Sequence, residues 1–314
     1  MKSKIVVVGS YNVGLFLMGQ KIPNVGETLI GDRFYEGGGG KGSNQAVAAA
    51  LLGADVTFSG RIGSDQYGAD ALAMYRKFSI STDYIAVDDT IHSGISVIFV
   101  DGEGNNSIMV VPGANNNLSK ADIDNAAPVM REAAFVGFQL ENSLETVLYG
   151  MRKAHELGAA VLLDPAPAQP LPDDIYPYID YIKPNEHEAA TLSGIPVTDA
   201  ASALEAGRWF LKRGVKHAII TLGGNGAVLV DASGETVYAA PALSAPVVDT
   251  TGAGDCFSGA LLSRLGEGCP VREAIPFALC AASLSTTKAG VIESLPTLEE
   301  ANALFEAQGA KLIL

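Results

Sequence analysis

Short apolar runs alternate with longer stretches of helical periodicity, and this alternation constrains the chain more than any other feature. Ile5-Val6-Val7-Val8 is a continuous β-branched run of the kind buried on both faces of a parallel sheet. Residues 55–59 read as a second short strand, and residues 46–52 as a helix ended by Gly53. From residue 119 the pattern is regular. Strands are expected at 135–139, 160–164, 181–183, 218–222 and 227–230, with helices over 143–157, 186–193 and 200–213. Such a succession predicts an α/β fold, a doubly wound, mostly parallel sheet flanked by helices. The 314 residues, 48% of them hydrophobic, supply a core large enough for it.

Two segments break the alternation. Residues 13–36 follow the first strand where a crossover helix is expected, yet they carry Pro23, Gly26 and Gly31, with β-type pieces near 15–18 and 28–35. Residues 92–100 and 106–111 flank Asp101-Gly102-Glu103-Gly104-Asn105, a hairpin signal. Paired, the two segments make a small second sheet. The expected division is a core of residues 1–12, 37–90 and 114–314 and a β lid of 13–36 and 91–113.

The stretch from Val247 to Gly259 reads as strand, tight turn and helix: Val247-Val248-Asp249, then Thr250-Thr251-Gly252-Ala253-Gly254, then Asp255 and apolar residues at helical spacing. Backbone N–H groups at a helix start have no intrahelical partner and sit at the positive end of the dipole, where an anion is held. Asp255 lies at the rim of that hole. A carboxylate there is a poor phosphate ligand and a good proton acceptor, which suits phosphoryl transfer to a hydroxyl. The same residues also fit an ordinary turn with Asp255 in the first helical turn.

The tract Glu36-Gly37-Gly38-Gly39-Gly40-Lys41-Gly42-Ser43-Asn44 contains G-x-G-x-x-G, but no buried strand leads into it, so a nicotinamide-dependent oxidoreductase is a poor reading. Nor is it a P-loop, because Gly42 follows Lys41. The remaining reading has backbone N–H groups, Lys41 and Asn44 converging on a polar ligand. Polar residues recur at the expected strand ends: Asn12, Gln139, Glu141, Asp164, Asn185, Glu188 and Thr221 with Gly223, Gly224 and Gly226. Each has a local explanation as a turn or helix start. Their recurrence on one rim favours a composite site.

The net charge of −14 argues against a nucleic-acid or membrane-surface partner. Three cysteines, Cys256, Cys269 and Cys280, have no metal-ligand spacing and fit a reducing, cytoplasmic setting.

These residues resemble the ribokinase family of sugar kinases over nearly the full length. Gly38-Gly39-Gly40-Lys41-Gly42-Ser43-Asn44-Gln45-Ala46, with Gly60-Arg61-Ile62-Gly63-Ser64-Asp65 downstream, is similar to the family's first signature, and Asp249-Thr250-Thr251-Gly252-Ala253-Gly254-Asp255 to its second. Asn185 to Glu188 resembles its N-x-x-E motif. The resemblance implies ATP-dependent phosphorylation of a sugar hydroxyl, with Asp255 as base and Gly252, Ala253 and Gly254 as the anion hole. It implies sugar contacts from Asn12, Gly40, Lys41, Asn44 and Glu141. Asn185 and Glu188 would serve the phosphate and Mg²⁺ region, and Thr221, Gly223 and Gly226 the nucleotide. A monovalent cation, K⁺, would be held by Asp249, Thr251, Ser285, Lys288, Gly290 and Ser294, several through carbonyls. A homodimer clasped through the lid is also implied.

One position departs from the family. Ribokinases place an aspartate two residues after the first-turn asparagine, and here Gly14 stands there. A missing charged acceptor costs roughly 1.5–3 kcal/mol in sugar affinity. The expected acceptor is an unphosphorylated sugar, a pentose or related furanose, with a hexose such as fructose or a nucleoside as alternatives. A non-catalytic sugar or nucleotide sensor on the same fold is the remoter alternative.

Overall fold

The computed structural model describes residues 4–314. Its first strands are β1 (Lys4–Val8), β2 (Asn12–Met18) and β3 (Arg33–Gly39), followed by α1 (Lys41–Leu51), β4 (Asp55–Gly63), α2 (Gln66–Lys77) and β5 (Ser81–Asp88). Next come β6 (Gly94–Val100), β7 (Asn106–Val111), α3 (Lys120–Glu132), β8 (Phe135–Phe138), α4 (Leu144–Glu156), β9 (Ala160–Leu163) and β10 (Tyr181–Ile182). The remainder is α5 (Glu186–Ser193), α6 (Ala200–Lys212), β11 (His217–Thr221), β12 (Ala227–Asp231), β13 (Gly234–Tyr238), α7 (Ala253–Gly266), α8 (Val271–Ser285) and α9 (Leu298–Gln308).

Nine strands form the main sheet in the order β13-β12-β11-β10-β9-β8-β1-β4-β5, parallel except for β12 and β13 at one edge. Alternation along β1 divides its side chains between two cores: Ile5 and Val7 pack with α1, α7 and α8, whereas Val6 and Val8 pack with α3, α4 and α6. Helices thus cover both faces, and the carboxyl ends of β1, β8, β9, β10 and β11 meet on one rim. Helices α1 and α7 lie against each other; a Cβ on Gly259 of α7 would stand 2.5 Å from the Ala48 Cβ of α1. Their N-termini therefore open at the same rim.

The second sheet has the order β3-β2-β6-β7, so the two irregular segments pair with each other as expected. Its central pair, β2 and β6, is parallel. No helix among the described residues is long and apolar enough to cross a membrane.

Several local expectations shift. No strand precedes α7: Val247 and Val248 are 60% and 58% exposed and take no part in either sheet. Val248 N–H and Asp249 N–H donate instead to the Thr286 carbonyl past the end of α8. The two valines carry strand propensity but have no strand beside them to pair with. Helix α1 starts at Lys41 rather than Ala46, because contacts from outside the helix fix its polar first turn. Strand β3 lies later than 28–35 and takes in Gly37, Gly38 and Gly39. Strands β5 and β13 and helices α3, α8 and α9 carry weaker local signals; α3 and α8 each contain a proline, Pro128 and Pro276.

Candidate active site

Asp255 is buried in the first turn of α7. Its carboxylate is gripped from α1: Asn44 Nδ2 donates to Oδ2 at 2.8 Å and Gln45 Nε2 to Oδ1 at 3.2 Å. The Lys41 ammonium lies 3.8 Å from Oδ1. The charge of Asp255 is the main reason that the Lys41 ammonium is held well above its ordinary range, against the opposing effect of burial. Two amide donors and a cation hold this carboxylate in place, and its two oxygens keep lone pairs for a further hydrogen bond.

The turn before α7 depends on Gly252, which sits in the left-handed region at φ 78°, where a Cβ would also fall 2.5 Å from Val291 Cγ1. Ala253 N–H closes a turn onto the Thr250 carbonyl at 3.2 Å, and Cys256 N–H donates to Gly252 O at 2.8 Å. Among the described residues, the Gly254 and Asp255 N–H groups have no backbone acceptor outside the helix. Of the expected anion-hole residues, Ala253 thus has its N–H already committed, and Gly254, with Asp255 beside it, supplies the open donors of this helix start.

Beneath the turn lies a buried ion pair that sequence reasoning did not single out. Lys183 Nζ stands 2.8 Å from Asp164 Oδ2, with the side chains 4% and 1% exposed. The same ammonium donates to Gly254 O at 3.2 Å. Asp164 Oδ2 also accepts from Gln45 Nε2 and from Ser258 Oγ, each at 2.9 Å. Gln139 Nε2 donates to Gln45 Oε1 at 2.7 Å, so one chain of bonds runs from β8 through α1 to Asp255. Gln139 and Asp164 were legible as polar strand ends. Gln45 lies within the first glycine-rich signature, but nothing in its spacing tells it apart from a core-facing helix residue.

Glu141 collects the first turns. Its Oε2 accepts from Ser10 Oγ at 2.5 Å, from Lys41 N–H at 2.9 Å and from Asn12 Nδ2 at 3.3 Å. Asn12 is buried, and its Oδ1 accepts from Asn115 Nδ2 at 2.9 Å. Gly40, at φ 93°, turns the chain into α1 against the backbone of Tyr11 and Asn12. Asn12, Gly40, Lys41, Asn44, Glu141 and Asp255 thus form one connected group. Asn44 Oδ1 is buried without a hydrogen-bond partner.

The residues expected on the nucleotide side form a second group. Asn185 and Glu188 make a reciprocal cap on α5: Glu188 N–H donates to Asn185 Oδ1 and Asn185 N–H to Glu188 Oε2, each at 2.8 Å. Asn185 is bridged to Thr221, whose N–H donates to the Pro184 carbonyl at 3.0 Å. Gly223 and Gly226 shape the hairpin turn between β11 and β12. Burial, followed by the nearby charge of Asp164, raises the Glu188 carboxyl above its ordinary value. Asp164 Oδ1 is buried with no hydrogen-bond partner. An unpaired carboxylate oxygen beside a second, mutually repelling carboxylate fits a hard divalent cation that brings its own phosphate and water oxygens. No group of three or more His, Cys, Asp or Glu with metal-binding geometry occurs among the described residues.

The third group lies behind the anion hole. Asp249 Oδ1 accepts from Thr251 N–H at 2.9 Å and Oδ2 from Gly290 N–H at 3.3 Å, joining the 249–251 and 288–294 segments. Ser285 Oγ and Ser294 Oγ donate to the Ala282 and Val291 carbonyls, both at 2.8 Å. The Lys288 ammonium turns away to Glu300 at 3.3 Å, leaving only its backbone to face the segment.

A carbohydrate kinase is the class that this rim defines, and comparison with known proteins agrees. Residues 2–298 match the model of the pfkB family of carbohydrate kinases. The ribokinase of Staphylococcus aureus is 38% identical over 304 residues, covering 96% of this chain and 99% of that one. The bifunctional ribokinase/ribose-5-phosphate isomerase A of Fructilactobacillus sanfranciscensis is 41% identical over 303 residues, 94% of this chain, which spans 55% of that longer protein. A solved structure of Arabidopsis thaliana ribokinase, complexed with ribose and ATP, superposes with a TM-score of 0.90 at 30% identity, covering 98% and 99% of the two chains. The chain belongs to the pfkB carbohydrate kinase family and is ribokinase-like throughout its length.

Proposed function

We propose that this protein phosphorylates a hydroxyl of an unphosphorylated sugar, a pentose or related furanose, with ATP as donor. The observation that carries the reading is the buried Asp255 carboxylate, oriented by Asn44 and Gln45 beside the open N–H groups of α7. Asp255 accepts the hydroxyl proton as the sugar oxygen forms a bond to the γ-phosphorus and the bond to the ADP oxygen breaks. The α7 donors and Lys41 balance the charge that develops on the transferred group. Asn12, Gly40, Lys41, Asn44 and Glu141 hold the sugar, and Thr221, Gly223 and Gly226 border the nucleotide. Asn185 and Glu188, with Asp164, would hold Mg²⁺ through its waters, supplying charge neutralisation at the phosphates. The oxygens of Asp249, Thr251, Ser285, Lys288, Gly290 and Ser294 would seat K⁺ and add positive charge behind the hole.

The second sheet, whose strands lie within residues 12–39 and 94–111, acts as a lid over the sugar. Leu17, Phe34, Met109 and Val111 are exposed on the sheet face opposite Asn12, an apolar surface that supports a homodimer through the lids.

Asp255→Asn tests the central assignment. Turnover should fall by about 10²–10⁴-fold, the usual worth of a positioned base, with nucleotide binding retained. Wild-type turnover in that variant would remove Asp255 from the role. A screen of ADP release over pentoses, hexoses and nucleosides, with and without K⁺, separates a kinase from a sensor.

A further inference from the structure

We propose that the acceptor site is polar at one end and aromatic at the other, with Phe16 setting specificity. Resting on the sugar-kinase reading, the proposal is that the enzyme selects an acceptor presenting a C–H or aglycone face where a pair of hydroxyls would otherwise be bound.

Side chains alternate along β2, so Asn12, Gly14 and Phe16 share one face. Their direct partners are Gly39, Gly37 and Tyr35 on β3 and Gly94, Ser96 and Ile98 on β6. At the first row Asn12 donates to Glu141, so this face opens onto the acceptor group. The second row, Gly37-Gly14-Ser96, offers only the Ser96 hydroxyl as a polar side chain. The third row is a wall. Phe16 and Tyr35 stack with ring centroids 4.3 Å apart and planes 7° from parallel. Phe16 also leans back over Gly14: a Cβ placed there would meet Phe16 Cε2 at 2.8 Å and Ile98 Cδ1 at 3.5 Å.

The space left by the missing side chain at residue 14 is therefore filled from residue 16, and filled with apolar carbon. Tyr35 backs the Phe16 ring and is itself 37% exposed. Burial, then the carboxylates of Asp249 and Glu293, raises its phenol above the ordinary value. An acceptor held by Asn12, Lys41, Asn44 and Glu141 at its reacting end thus meets the Phe16 ring at its far end. A hydroxyl pressed there exchanges water for carbon and gains no partner. A methylene, a deoxy position or a planar substituent loses nothing and gains contact.

Steady-state kinetics with ribose, 2-deoxyribose and deoxyadenosine tests this. A deoxy sugar and a nucleoside share the chemistry, and the two arms show which is the source. One of them should exceed ribose in kcat/KM by about 10–100-fold, the range that an apolar pocket achieves against an added hydroxyl. Phe16→Ala should erase that preference, chiefly by raising KM for the preferred acceptor, with ADP affinity retained. Gly14→Asp combined with Phe16→Ala should turn the preference toward ribose. Phe16→Tyr, which keeps the ring and adds a hydroxyl to its edge, should weaken the preference and gives the comparison if the alanine variant folds poorly. A wild-type preference for ribose, or a preference indifferent to Phe16 in folded, ADP-binding variants, overturns the inference and leaves the kinase reading standing. Absence of turnover with every acceptor, despite bound ATP, overturns both.

Discussion

Helices α1 and α7 each begin after a glycine of positive φ, Gly40 at 93° and Gly252 at 78°, and neither has a side-chain N-cap. At α1 the first-turn donors are consumed within the protein. Lys41 N–H donates to Glu141 at 2.9 Å, Gly42 N–H to Ser10 Oγ at 3.4 Å and Ser43 N–H to Ser10 O at 3.0 Å. At α7 only Ala253 N–H is committed, to Thr250, and the next two donors remain open. Two glycine-led helix starts at one rim therefore have different work. The first presents side chains, Lys41 and Asn44, from a locked turn. The second leaves two backbone N–H groups open beside a carboxylate, the pair to which the proposed reaction gives the anion and the proton. A glycine motif is an anion site only where its donors are not already spent.

The largest expected effect sits beneath α7. Lys183→Met leaves Asp164 buried without its cation and should cost about 3–5 kcal/mol of stability, read by denaturant unfolding. A loss below 1 kcal/mol would mean that the pair does not support the turn. Next come the glycines themselves. A Cβ on Gly42 would lie 2.6 Å from Ser10 N and 2.7 Å from Gly9 Cα, both backbone, so Gly42→Ala should cost about 1–3 kcal/mol. A Cβ on Gly254 meets only Lys183 Nζ, at 3.5 Å, so Gly254→Ala should unfold within about 0.5 kcal/mol of wild type. Equal losses in the two variants would dissolve the contrast between a locked and an open turn.

The smallest effect lies away from both helices. Burial is the main cause that lowers His217 below its ordinary value of 6.5. The unfolded chain therefore takes up a proton near pH 6.5 that the folded protein resists, and stability should fall as pH drops through that value. Unfolding midpoints at pH 7.5 and 5.5 should differ less in His217→Asn than in wild type. An identical difference would assign the acid sensitivity to other groups, such as the carboxylates of the rim.

How much of this was legible beforehand follows from where the information sits. The β-branched run at residues 5–8 and the strand–helix alternation after 119 are local signals, and they specified the parallel sheet. The lid was readable from Pro23, Gly26 and the Asp101 to Asn105 turn. The strand before α7 failed because Val247 and Val248 have propensity without a partner. The site motifs placed Asp255, Asn44 and Lys41 in one group, but which N–H groups were free depended on Ser10 and Glu141, far away in sequence. Likewise, Gly14 read in sequence as a missing acceptor, and the space beside it is closed by Phe16, through side-chain packing that no spacing rule records.

The measurement closest to the central claim is an amide ¹H–¹⁵N NMR comparison of the protein with sugar alone and with sugar, MgADP and aluminium fluoride, a mimic of the transferring phosphoryl group. The account predicts large shifts for the Gly254 and Asp255 amides and small ones for Gly42 and Ser43. Large shifts at Gly42 and Ser43, with Gly254 and Asp255 unmoved, would contradict it.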